Sequence, residues 1–273
     1  MESWEEMITP SETPRNPFDG ATYCVSYETL ASLRPQCVSG VHDDQYGLTI
    51  TEHLGEDRIA LVHTPHRLLA AESVPVPLVL FFHGLGSHPW KVALTGTDWR
   101  RMAHEHGFVV AFAVGTDCGS QSDKRCGFRV RNSEPDVAYV RAAIDRVRKI
   151  RSVDATRIYG VGHSNGAIFS SVLAQRLGGS VFAAMVNVMG GFGKHGQEVE
   201  REATSDPLPL FFVTGTDDAY KEGCECAHRF FAAHGYASSI RVLDGVGHKY
   251  PRGDEEERMW SFLSAHRRSQ RTI

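Results

Sequence analysis

The chain has no excess of positive charge. Its 29 Lys and Arg stand against 33 Asp and Glu, a formal net charge of -4 over 273 residues. It also has no basic block, so nucleic acid is not the expected partner. Long apolar runs are missing too. The longest, Val76 to Phe82 (broken by Pro77) and Phe108 to Val114, fall far short of the ~20 residues that cross a bilayer. Membrane insertion is therefore not expected. Cysteine is sparse: six residues do not define a disulfide scaffold, although they leave the redox compartment open. Cys224 and Cys226 have no second ligand pair at useful spacing, so zinc is not expected. Met1 to Glu6 carries three glutamates and no long apolar stretch follows. No secretory leader is expected there, and secreted and cytoplasmic locations both stay open.

What is present reads as an ordinary globular protein, with 41% hydrophobic and 23% charged residues. Residues 1–20, with Pro10, Pro14, Pro17 and Gly20, predict an extended arm. Residues 21–273 predict a single domain. Within it, Leu48 to Thr51 and Arg58 to Val62 suggest a hairpin. Leu78 to Phe82 is a continuous apolar run suited to a strand covered on both faces. From there strands and helices alternate. Strands are expected at Phe108 to Ala113, Arg157 to Val161, Val181 to Val188, Leu208 to Thr214 and Ser239 to Leu243. Helices are expected from Trp99, from Glu134 to Ile150, from Ser164 to Leu177, from about Gly223 to His234 and from Asp254 to Arg268. That order predicts an α/β fold: a mostly parallel sheet between helical layers.

The stretch from Ile158 to Gly166 holds Gly162-His163-Ser164-Asn165-Gly166 between an apolar strand and an apolar helix. Gly-x-Ser-x-Gly in that setting is the nucleophile elbow. A sharp strand-to-helix turn strains the backbone at Ser164, and side chains at Gly162 and Gly166 would clash. A serine N-cap between turn glycines is the bland alternative. A lone hydroxyl is a poor nucleophile, so a base is required. His248 lies in the loop between the last strand and the last helix, where the chain order Ser, acid, His puts the base. The acid is expected in Gly215-Thr216-Asp217-Asp218, and spacing alone leaves Asp217 and Asp218 equally open. Oxyanion donors are expected from the Asn165 amide and, in His83-Gly84-Leu85-Gly86, from the amide of Leu85 or Gly84. No Gly-Lys-Ser/Thr follows that glycine turn, which argues against a phosphate cradle.

Five stretches together resemble one family. They are Leu80 to Gly84, Trp99 to Val110, Asp136-Val137-Ala138-Tyr139-Val140, Val153 into Gly166, and Gly247-His248. The chain from about Pro77 to His266 is similar to α/β-hydrolase serine esterases of the polyhydroxybutyrate depolymerase and feruloyl esterase kind, grouped with carbohydrate esterase family one. The resemblance implies Ser164 as nucleophile and His248 as base. It moves the preference for the acid to Asp218, and it implies the loop amide after His83-Gly84 as an oxyanion donor. It also implies small or oligomeric ester substrates: hydroxyalkanoates, hydroxycinnamates or acetylated sugars. No metal or organic cofactor is expected. The chain departs from the family at Ala167, at Lys249-Tyr250-Pro251 and in the loop that begins Gly115-Thr116-Asp117-Cys118.

Peptidase, amidase and thioesterase chemistry use the same triad, and a non-catalytic binding protein on a hydrolase scaffold is a fourth reading. Candidate substrate contacts are His83, His163, Arg125, Arg129 and Tyr250. Cysteine spacing allows Cys118–Cys126 and Cys24–Cys37 bridges. The oligomeric state stays open.

Overall fold

A computed structural model of the chain describes residues 9–10, 23–24, 40–54, 58–70, 74–87, 89–115, 127–199 and 206–269. Apart from Thr9 and Pro10, the expected arm lies outside these residues. Thr9–Pro10 pairs antiparallel with Tyr23–Cys24, separate from the main sheet.

The main sheet has nine strands. In chain order they are β1 (Val41–Asp44), β2 (Gly47–His53), β3 (Ile59–Thr64), β4 (Val76–Phe82), β5 (Val109–Ala113), β6 (Val153–His163), β7 (Ala184–Val188), β8 (Leu210–Gly215) and β9 (Ser238–Leu243). Their spatial order is β9-β8-β7-β6-β4-β5-β3-β2-β1. From β9 to β5 all pairings are parallel; from β5 to β1 they are antiparallel. The longer helices are α1 (Trp99–His106), α2 (Glu134–Ile150), α3 (Asn165–Arg176), α4 (Lys221–Ala233) and α5 (Asp254–Ser264).

Both faces of the parallel part are covered. Leu78, Leu80 and Phe82 of β4 join a cluster containing Val140 of α2, Phe169 of α3 and Phe231 of α4. Val79 and Phe81 join a second cluster with Trp99 and Met102 of α1 and Met259 and Leu263 of α5. The period of two along β4 thus feeds two cores, and this is why the strand reads as an unbroken apolar run.

Three expectations need correction. β1 is an additional strand that pairs with the hairpin; its sequence, Val41-His42-Asp43-Asp44, carries too little apolar pattern to signal one. The strand expected from Val181 begins at Ala184, because Gly178–Val181 forms a helical turn. Gly178 enters that turn at φ 49, a backbone state open to glycine. The last helix ends at Ser264, not Arg268. The arginines leave the helix to bond the start of β6: the Arg268 amide donates to the Thr156 carbonyl at 3.0 Å, and Arg267 reaches Asp154 at 3.1 Å.

Candidate active site

β6 runs into α3 through a single residue, Ser164, at φ 52 and ψ -117. This is a strained position for a side chain with Cβ. Its side chain makes no capping hydrogen bond to the helix, so the N-cap reading fails. The flanking glycines are needed for space. A Cβ on Gly162 would lie 2.3 Å from the Gly166 carbonyl oxygen, and one on Gly166 would lie 2.0 Å from that of Phe82. The helix therefore starts against the end of β4, with the Ser164 hydroxyl aimed away from the core.

Three loops converge there. The β9–α5 loop brings His248, whose Nε2 lies 2.9 Å from Ser164 Oγ. The β8–α4 loop brings Asp218, whose Oδ1 accepts from His248 Nδ1 at 2.8 Å. Asp218 is buried. It accepts again from Thr214 Oγ1 at 3.1 Å and from the Tyr220 amide at 2.9 Å. Burial pushes this carboxyl up, but those bonds, led by the one from His248, outweigh it and hold it below its ordinary range. Asp217, next along the chain, is exposed and meets Thr216 Oγ1 instead. Ser164, His248 and Asp218 thus form one hydrogen-bonded chain that leaves Asp217 out.

The third loop is His83-Gly84-Leu85-Gly86. A Cβ on Gly84 would lie 3.3 Å from both Ser164 Cβ and His163 Nδ1, so the turn sits against the serine. Leu85 is half exposed. The Asn165 side chain faces the neighbouring segment, accepting from the Phe128 amide at 2.7 Å and donating to its carbonyl at 3.1 Å. The Asn165 amide stands at the positive end of α3.

The other expected contacts separate. His83 is 1% exposed, with Nδ1 donating to the Gly84 carbonyl and Nε2 accepting from the Gly115 amide. It braces the turn and offers no surface to a substrate. Tyr250 also points inward: its hydroxyl accepts from Trp99 Nε1 at 2.8 Å, and burial raises its pKa well above the ordinary value. His163 packs beside His248, with ring centroids 5.8 Å apart, and burial lowers its pKa to about 4. Arg129 is exposed and its amide is tied to Asp136. Arg125, Cys37, Cys118 and Cys126 lie outside the described residues, and of Cys24 only the backbone is described, so neither bridge finds support. Cys224 is a buried free thiol that burial pushes up to about 12. Two site residues escaped the sequence reading: Thr214, the last but one residue of β8, and Tyr220, two residues past Asp218. The second had a signal, an aromatic directly after the acidic turn.

No protein-family model matches the chain. A protein of Acanthamoeba polyphaga mimivirus described as an uncharacterized hydrolase is 24% identical over 250 residues, covering 80% of this chain and 78% of that one. A bifunctional acetylxylan esterase/xylanase of Neocallimastix patriciarum is 28% identical over 146 residues; the match spans 52% of this chain and 19% of the relative. A solved ferulic acid esterase superposes with a TM-score of 0.58 at 15% identity, over 83% of this chain and 95% of that one. The chain has the α/β-hydrolase fold. Within this fold Ser164 stands at the C-terminal end of a central parallel strand, β6, and Asp218 and His248 lie on the loops after β8 and β9.

Buried His63 and Glu256 and half-buried His163 are expected to make stability of the hydrolase depend on pH between 5 and 7. His63 on β3 lies 2.9 Å from Thr49 Oγ1, and burial with Arg100 nearby lowers its pKa to about 3. For His63 and His163 the unfolded chain takes up a proton near pH 6.5 that the folded chain refuses. Their contribution is complete above that pH and is lost as pH falls. Glu256 has the opposite sign. Burial raises its carboxyl to about 7, so its contribution is complete below pH 4.5 and is lost as pH rises through 7. Each group alters the slope by at most about 1.4 kcal/mol per pH unit. Two against one leaves a net loss on acidification. The urea midpoint is expected to fall from pH 7 to 5, more steeply in Glu256→Gln and less steeply in His63→Gln. Parallel slopes in all three proteins would refute the assignment.

Proposed function

We propose that the chain is a serine carboxylic-ester hydrolase working through an acyl-enzyme. The observation that carries this reading is the hydrogen-bonded chain from Ser164 Oγ to His248 to buried Asp218, on a strained elbow residue. His248 Nε2 takes the hydroxyl proton as Ser164 Oγ attacks the ester carbonyl. Asp218 keeps the other proton on Nδ1 and stabilises the imidazolium that forms. The amides of Asn165 and Leu85 receive the oxyanion. His248 then gives its proton to the leaving alcohol, and water repeats the sequence on the acyl-enzyme. Esters of hydroxyalkanoates, hydroxycinnamates or acetylated sugars are the proposed substrates. Their support is the likeness to an acetylxylan esterase and a ferulic acid esterase.

The test pairs a substrate panel with covalent labelling. The protein is expected to hydrolyse p-nitrophenyl acetate and butyrate faster than peptide anilides, and a fluorophosphonate is expected to label the peptide carrying Ser164. Cleavage of the anilides alone would replace esterase by peptidase. A protein that neither turns over esters nor takes the label would instead be a binding protein on this scaffold.

A further inference from the structure

We propose that Tyr220 is a positioning residue that holds the catalytic imidazole in its working orientation. The inference rests on the triad reading above. His248 sits on the β9–α5 loop with a third of its side chain exposed. Two hydrogen bonds set the ring in its plane, to Asp218 and to Ser164. What remains is rotation about the line joining those bonds, and neighbouring rings must limit it.

Tyr220 supplies the nearer one. Its ring stacks on His248 with centroids 4.6 Å apart and planes at 29°. Its backbone amide donates to Asp218 Oδ1 at 2.9 Å, the oxygen that also accepts from His248 Nδ1. One residue therefore ties down both acid and base, by separate atoms. His163 is the other ring, at 5.8 Å and 26°. It is kept neutral by burial, with the nearness of His248 adding to the effect, so it places no like charge beside an imidazolium. Among the described residues, the groups that meet the His248 ring are thus Asp218, Ser164, His163 and Tyr220, with Lys249 adjacent in the chain. The Tyr220 phenol stays neutral because burial, Glu198 and Asp218 all raise its pKa. Its π face attracts the positive charge that His248 gains during each acyl transfer.

The backbone bond to Asp218 survives any substitution of the side chain, so ring and amide can be separated. Tyr220→Leu keeps apolar cover without a π face; Tyr220→Ala removes both; Tyr220→Phe keeps the face. In the Leu and Ala variants kcat on p-nitrophenyl butyrate is expected to fall about tenfold with little change in KM. Tyr220→Phe is expected to restore most of the rate. An unchanged kcat in Tyr220→Leu, a change confined to KM, or a Phe variant as impaired as the Leu variant would each overturn the proposal. Ser164→Ala is run alongside. If it retains hydrolysis, the triad reading itself has failed; if it is inactive while the Tyr220 variants behave as wild type, only the positioning role has failed.

Discussion

Asp218→Asn is expected to lower kcat for ester hydrolysis by about 10⁴-fold, while Asp217→Asn leaves it within a small factor. The two carboxylates are neighbours in sequence and separate in space. Asp218 is buried at 5% exposure and takes three hydrogen bonds, one of them from His248 Nδ1. Asp217 faces solvent and bonds Thr216. An asparagine at 218 presents an amide NH₂ or a weaker carbonyl to Nδ1. The imidazole then gains by carrying its proton on Nε2, where it can no longer accept from Ser164 Oγ. The loss is in the chemical step, so KM should change little. For comparison, Ser164→Ala removes the nucleophile and should cost about 10⁶-fold. Initial rates on p-nitrophenyl butyrate, with circular dichroism to verify folding, measure all three. A crippled Asp217→Asn beside an active Asp218→Asn would reverse the assignment of the acid.

The parallel part of the fold was legible because both faces of its strands are buried. Apolar runs such as Leu78 to Phe82, each followed by a helical pattern, leave few other arrangements. The elbow was legible for a different reason: strained backbone and close approach restrict Gly162, Ser164 and Gly166 in ways that leave a pattern in the letters. The choice between Asp217 and Asp218 was not legible from spacing. It depends on which carboxylate the turn after β8 directs inward, and both lie within reach of the loop; only the family resemblance tipped it. Local patterning also could not tell that His83 and Tyr250 point into the protein. The His83 ring nitrogens are committed to Gly84 and Gly115 and the Tyr250 hydroxyl to Trp99, partners set by tertiary contact. β1 was missed because an edge strand with polar residues pairs through its backbone, which a hydrophobic pattern does not record.

Asp136 shows how a motif can be read without its reason. In sequence it is only the first residue of Asp-Val-x-x-Val. In the fold it is fully buried near the start of α2 and gathers the chain around the site. Its Oδ1 accepts from Arg58 at 2.9 Å and its Oδ2 from the Arg129 amide at 2.9 Å. Arg58 in turn lies 3.7 Å from the Tyr139 ring centroid and donates to the Val114 carbonyl. Tyr139 accepts from the Val114 amide and donates to the Ile59 carbonyl, both at 2.8 Å. Val114 and Arg129 flank the departing loop that begins at Gly115, and Phe128 on its far side holds Asn165 beside Ser164. Asp136→Ala strands a guanidinium that is 16% exposed. The expected cost is about 3–5 kcal/mol, or roughly 10 °C in Tm for a chain of this size. Esterase kcat should fall as well, since the Phe128–Asn165 contact loses its anchor. Converting Arg58 to Met in the same protein removes the orphaned charge, so Asp136→Ala/Arg58→Met should regain most of the lost stability. It should not regain the rate, because the Arg129 amide still lacks its acceptor. A double variant no more stable than Asp136→Ala would show that the carboxylate acts through the Arg129 amide alone.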